Sequence, residues 1–497
     1  MKRVLLAGAA AVTVSTPAFP ITPEELWSAW QAQNASPGQR LAATGTAREG
    51  DTLVLTGVTL TVEPEGGELS VRTEVGTVRM RDAGGGRVVV TMPDSIAVTL
   101  DSTGADAATA RLGIEQPGLT ITASGDPAAI AYEVAAPRVA VTLTEATSGG
   151  KALPVALRVA MEAMTATYRA AGAETQTVDG RFALGALTVD ISGSDPEGGG
   201  SFDIEVAVAD LAGSVEGTLP PGFADEPDLG VVLRQGFAIA SDYTLGATTF
   251  AFNAIEDGKA VSAEGKADGG DFRVAMDANR FAYRTGAKGF DITLAGGDLP
   301  FPALNIQLAD FALGFLLPLA KTADPADFSA LVRVVDLVLP DEVWAMVDPM
   351  GSLKRGAVTA ILDTAGKLRL TADLFAPEAM MGAAPPGELH ALDIRALQLK
   401  AGGADLTGTG GFTFDNGDLA TFDGLPRPTG AIDLKLVGGN ALLDALAAMG
   451  MIPEDQIMGA RMMLGLFARP GDGPDTLVSR IEVTPDGALL ANGQRLR

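Results

Sequence analysis

The sequence contains no cysteine and a single histidine, His390. The first absence excludes disulfides, thiol nucleophiles, iron–sulfur clusters and cysteine zinc sites. The second excludes any site built from several imidazoles. Basic residues are also scarce: 36 Lys and Arg stand against 62 Asp and Glu, for a formal charge of −26. No stretch concentrates positive charge, so phosphate-backbone binding to nucleic acid is not expected. Aromatic residues make up only 5% of the chain. A core must therefore be built mainly from Ala, Val, Leu and Ile. Beyond the first 18 residues, long apolar runs are missing as well. The best candidate, residues 311–320, stops after ten and contains Pro318. A membrane-spanning helix needs about 20.

What is abundant is glycine, with 61 residues among 497. Together with many Val, Thr and Leu in short runs between turn residues, this reads as β-sheet with many hairpins. The apolar share of 47% is too high for a disordered chain. The first residues have a layout of their own. Lys2 and Arg3 precede an uncharged, mostly apolar stretch over residues 4–14, followed by Ser15-Thr16-Pro17-Ala18. This is the layout of a secretory signal peptide over residues 1–18, cut after Ala18. A periplasmic address follows as an expectation.

Along the mature chain, Thr22, Pro23 and Glu25 form a capping box that opens a helix carrying Leu26, Trp27 and Trp30 on one face. From about 41 to 143 apolar residues alternate, as in Val58/Leu60/Val62, Val88/Val90/Met92 and Ile96/Val98/Leu100. Period-two spacing predicts half-buried antiparallel strands. No repeat of fixed length stands out. Residues 154–171 fit neither period cleanly, which leaves a long strand and a helix both open. Glycine- and proline-rich stretches at 192–200, 220–230 and 296–300 are candidate seams. The expected division is 19–300, an N-terminal helix and β-rich region, and 301–497, a second β-rich region. The latter contains a helix pair at 440–468, capped by Asn440, and a C-terminal hairpin. The second of these helices is apolar nearly all round and is expected to be buried on several sides. The fold class is mainly β (α+β), a long, twisted, largely antiparallel sheet.

Two local features look like anchors. Phe311, Leu313, Phe315 and Leu317 alternate with further apolar residues, which predicts a central, covered strand and a candidate apolar groove. Pro340-Asp341-Glu342 opens a short helix with Trp344 and Val347 facing the core and Asp348-Pro349 ending it.

These segments resemble a known family. Thr22-Pro23-Glu24-Glu25-Leu26-Trp27 with Trp30-Gln31 is similar to the mature start of periplasmic proteins grouped as domain of unknown function 2125. Leu339-Pro340-Asp341-Glu342, Trp344 and Asp348-Pro349 resemble it too, as do Phe412, Phe414-Asp415-Asn416, Phe422-Asp423-Gly424-Leu425-Pro426 and Ser479-Arg480-Ile481-Glu482. After Asp348-Pro349 the family tends to a Leu-Pro-Arg-x-Pro run, where this chain has Leu353-Lys354-Arg355-Gly356-Ala357. The resemblance implies an envelope location and no known reaction. Trp27, Trp30, Trp344, Asp348 and Pro349 are its structural signature.

Catalytic motifs are lacking. There is no Gly-x-Ser-x-Gly elbow, no P-loop and no EF-hand loop. His390 has no serine placed beside it by the sequence. The turn Asp415-Asn416-Gly417-Asp418 reads as a solvated hairpin. No catalytic residue, metal or cofactor is assigned. The expected function is a non-enzymatic envelope protein that binds a hydrophobic ligand such as lipid in a β-sheet groove. The alternative is a structural or protein-interaction role with no small ligand. Oligomeric state is not legible in the sequence.

Overall fold

A computed structural model describes residues 20–35, 38–63, 69–104, 107–172, 174–195, 198–223, 226, 228–375 and 387–497. The expected signal peptide lies outside the described residues. The helix Pro23–Gln33 begins as its sequence requires. Thr22 Oγ1 accepts from Glu25 N, and the Glu25 carboxylate accepts from Thr22 N, completing the capping box. Residues 155–171, ambiguous in sequence, form the strand Val155–Ala171.

All strands join one antiparallel sheet. Several strands are interrupted near the middle, and their halves lie end to end. Ala238–Leu245 and Thr248–Glu256 pair with the two halves of Ser201–Leu219. Lys259–Ala267 and Gly269–Met276 pair with the two halves of Arg280–Gly296. The same arrangement occurs between Leu69–Asp82 and Ala129–Ser148. Taken as whole strands, the chain is a plain up-and-down meander. It is about twenty strands wide, or on the order of 95 Å at ~4.8 Å per strand. Among the described residues the first strand, Gln39–Ala42 with Gly45–Glu49, pairs only with Thr52–Val62. The last, Gln494–Arg495, pairs only with Leu489–Ala491. The sheet is open. The glycine-rich stretches at 192–200 and 296–300 connect strands of this one sheet, paired as Ser194 with Ser201 and Ala295 with Ala303.

A crease crosses the sheet where those strands break. Gly57, Gly76, Ala163, Asp210, Gly289 and Asp336 lie on it with positive φ, and Pro137 and Gly185 fill the facing positions. At the crease the pattern of apolar residues changes parity. Strand Gln176–Ser194 carries Val178, Phe182 and Leu184, then Leu187, Val189 and Ile191. A slip of one residue would normally send these sets to opposite faces. Here the crease absorbs one position, with the left-handed Ala163 and Asp210 of the two flanking strands on either side of Gly185, and both sets stay on one side. The cluster under the first helix demonstrates it. Leu53, Leu55 and Val58 pack together there, although Gly57 with φ 56° lies between them and reverses the alternation.

That cluster is the only described set of fully enclosed apolar side chains that is assembled into a core. Leu26 and Trp27 of the helix close over Leu55, Val78, Met80, Val88, Val90 and Ala123. Beyond it helices cover the sheet only locally: Gly439–Ala448 touches the strand Ala404–Asp415, and Leu229–Arg234 buries Val232 and Leu233. The chain exposes 28453 Å², against roughly 17,000 Å² for a compact monomer of its mass. The undescribed residues would not close this gap even at the extended-chain value of about 1.45 Å² per dalton.

Three expectations need correction. The strand Ala303–Pro318 is central but not covered: Leu313 and Leu317 are 37% and 39% exposed. The helix Glu454–Phe467 is not buried on several sides. Ile457 is buried, while Met458, Met462, Met463 and Leu466 face outward. The preceding helix, Gly439–Ala448, is capped by Gly438 and by the Asp475 carboxylate, which accepts from Asn440 N and Ala441 N. Asn440 lies inside this helix.

Candidate functional site

The uncovered face carries two parallel bands of side chains, one on each side of the crease. The first is aliphatic. Registered pairs run without a break from Ile96 through Ile114, Val141, Val159, Val189 and Val206 to Phe250. The row then passes Gly265 to Ile292 and Ile306. A Cβ at Gly265 would come within 2.5 Å of the Phe250 ring, so the ring covers the gap that glycine leaves. Each of these positions is β-branched, aromatic or glycine, the residues a pleated surface favours.

The second band is aromatic. Phe182, Tyr243, Phe272, Tyr283 and Phe315 follow one another across the sheet with ring centroids 5.4–6.1 Å apart. Phe281 joins Phe315 at 5.4 Å. Gly213 makes the first step possible, because a Cβ there would sit 2.5 Å from Phe182 and 2.7 Å from Tyr243. Nearer the helix, Tyr132 stacks on Tyr168 at 6.4 Å, and the Tyr132 hydroxyl accepts from Trp30 Nε1 at 3.2 Å. Burial raises the Tyr132 pKa, against the lowering effect of that hydrogen bond. All four tyrosines of the chain lie in this band.

The structure places Phe311, Leu313, Phe315 and Leu317 on this same face. Leu313 heads a further row through Val332, Leu362 and Leu397. The sequence reading named one strand of a surface that spans most of the sheet. The missed signal was the one-residue slip in runs such as Val206, Val208, Leu211. Alternation analysis treats that slip as a break.

The opposite face is polar and carries paired charges such as Arg273–Asp242 at 2.7 Å and Arg480–Asp433 at 2.7 Å. A hollow of about 860 Å³ lies there between Thr407, Asp433, Lys435, Arg469 and Arg480.

The remaining sequence candidates are structural in their contacts. Asp348 is buried and accepts from Ser352 N at 2.9 Å and Leu353 N at 2.7 Å, so it ties off the loop after helix Asp341–Val347. The Leu353 hydrogen bond holds its carboxyl below the usual value, against the opposing effect of desolvation. Trp27 is in the core, and Trp30 borders it. Trp344 is only half-buried and Val347 is 55% exposed, so that short helix does not bury the face expected of it. His390 sits at a register shift with Nε2 3.6 Å from Glu388 Oε2, beside the Arg369–Glu388 ion pair. Asp415 and Asp418 both pair with Arg427, at 2.8 and 3.0 Å, and Asp418 also accepts from Thr421. Among the described residues no group of three His, Asp or Glu is arranged to hold a metal ion. No helix there is long and apolar enough to cross a membrane.

Residues 230–491 match the family described as an uncharacterized protein conserved in bacteria (DUF2125). The chain belongs to that family. The DUF2125 match takes in the sheet from the strand Ala238–Leu245 onward, with Tyr243, Tyr283, Phe315 and Asp348. It leaves the helix-covered N-terminal core outside. No curated protein and no solved structure matches the chain.

Proposed function

We propose that the protein is secreted to the periplasm and holds lipid acyl chains along the uncovered face of its sheet. The observation that carries this reading is the aliphatic row from Ile114 to Ile306, nine strands wide and without a covering layer. Burying apolar area is favourable by roughly 25 cal/mol per Å², whatever the shape of the apolar occupant. A flexible hydrocarbon chain follows such a surface without shape-matched partner side chains. The polar reverse face and the charge of −26 keep the loaded protein in water.

The test is native mass spectrometry of the mature protein from the periplasmic fraction, followed by lipid extraction. A stoichiometric phospholipid or fatty-acid adduct is expected. A clean apo mass would defeat the reading. A second reading, docking of a partner protein, draws on a different observation. Met458, Met462, Met463 and Leu466 line an exposed side of helix Glu454–Phe467, and methionine surfaces adapt to varied partners. It would be favoured by a reproducible cross-linked partner on this helix together with a lipid-free protein.

A further inference from the structure

The two bands divide the uncovered face chemically. Tyr132, Tyr168, Tyr243 and Tyr283 supply all its phenolic hydroxyls, and the aliphatic row supplies none. The separation between the bands varies little. Tyr132 and Val141, Tyr168 and Val159, and Tyr283 and Ile292 are nine positions apart, and Tyr243 and Phe250 seven. Seven to nine residues of extended strand span about 23–30 Å. That is enough for one bilayer leaflet, which is about 20–22 Å deep with its headgroup. No charged side chain lies in either band. The Arg and Asp residues of these strands, such as Arg273 and Asp242, pair on the reverse face.

From these observations we infer that the occupant is a diacyl glycerolipid of no net charge, lying along the strands. Its ester and headgroup region meets the tyrosine band, and its acyl chains cross the crease onto the aliphatic row. The inference rests on the lipid reading above and adds an orientation and a headgroup class. Tyr168, Tyr243 and Tyr283 have no hydrogen-bond partner for their hydroxyls among the described residues. A neutral phenol donates to an ester carbonyl or a phosphodiester oxygen without needing a counter-charge. An anionic lipid would meet no cation in the band and would be repelled by the acidic protein. A few placed polar groups in an apolar surface are what fixes the orientation of a ligand. Here they come as a repeated row, so several lipids can lie side by side in the same sense.

The test replaces only hydroxyls. The triple variant Tyr168→Phe, Tyr243→Phe, Tyr283→Phe keeps every ring. Tyr132 is left intact because its hydroxyl serves Trp30. The full mature protein is equilibrated with phosphatidylcholine vesicles or with hexadecane, and the bound ligand is extracted and quantified. The variant is expected to hold phosphatidylcholine about tenfold more weakly, the effect of losing one or two hydrogen bonds, with hexadecane binding unchanged. Equal loss of both ligands, or loss of neither, overturns the orientation while leaving the lipid reading in place. Failure of the wild-type protein to take up either ligand defeats the lipid reading and this inference with it. A second measurement reads the direction of the lipid. In a Trp344→Phe background, a nitroxide near the ester end of phosphatidylcholine is expected to quench the remaining emission of Trp27 and Trp30 more than one near the methyl end. The reverse order overturns the proposal.

Discussion

The sheet near the N-terminal helix and the sheet beyond residue 150 are built from the same alternating strands, yet their energetics differ. Under the helix, Leu55, Met80, Val88 and Val90 are fully enclosed. Further along, Val159, Val189 and Val206 occupy equivalent pleat positions and stay half-buried. The difference is the one amphipathic helix. Trp27 and Leu26 supply the second layer that a sheet face needs to become a core. Where no helix returns over the sheet, the same residues form a surface. The strand pattern therefore specifies which face is apolar, and a separate element decides whether that face is a core or an open surface.

The largest effect that would sharpen this comparison is in stability. Leu55→Ala should destabilise by about 2–5 kcal/mol, since it leaves a cavity in an enclosed cluster. Val206→Ala should cost about 1 kcal/mol or less, because the site is already open on one side. Urea denaturation of both variants checks the contrast, and equal losses would mean that the distal face is covered in solution. A charge placed on that face should separate function from fold. Val189→Asp is expected to abolish stoichiometric lipid uptake from vesicles while the far-UV circular dichroism spectrum is retained. Normal uptake would move the lipid site elsewhere.

Acid offers a narrower probe of the distal region. Asp348 has its carboxyl lowered below 3.8, chiefly by the Leu353 hydrogen bond. The stabilisation it gives is fully present above the unfolded-state value and is lost as pH falls through the lowered one. Asp348→Asn should therefore show a shallower loss of stability on acidification below pH ~4, read by thermal melts across that range. The smallest effect belongs to the N-terminal cap. Thr22→Ala removes one half of the capping box and should cost about 1 kcal/mol. That loss should appear in hydrogen exchange of helix Pro23–Gln33 and the core beneath it, and leave exchange beyond residue 150 unchanged.

Much of this architecture was legible in the sequence because its signals are local. The capping box at Thr22 and Glu25, the β-branched alternation and the strand around Phe311 each depend on neighbours within a few residues. The tyrosine band was not legible. Tyr132, Tyr168, Tyr243 and Tyr283 are far apart in the chain, and only strand register lines them up. The crease was hidden for a related reason. Ala163, Asp210 and Asp336 are ordinary residues whose positive φ has no compositional mark. The exposed side of helix Glu454–Phe467 was misread because an apolar helix looks the same whether neighbours or solvent surround it.

The sequence by itself determined an antiparallel, apolar-faced sheet, a capped helix at its start and an acidic reverse side, since periodicity, capping and charge act over short distances. The tertiary structure alone decided that the strands form one open meander, that the crease keeps its apolar residues on one side, and that a helix covers only the first part of it. Those outcomes depend on register and on contacts between residues remote in the chain, where the energy of a pairing depends on what lies opposite.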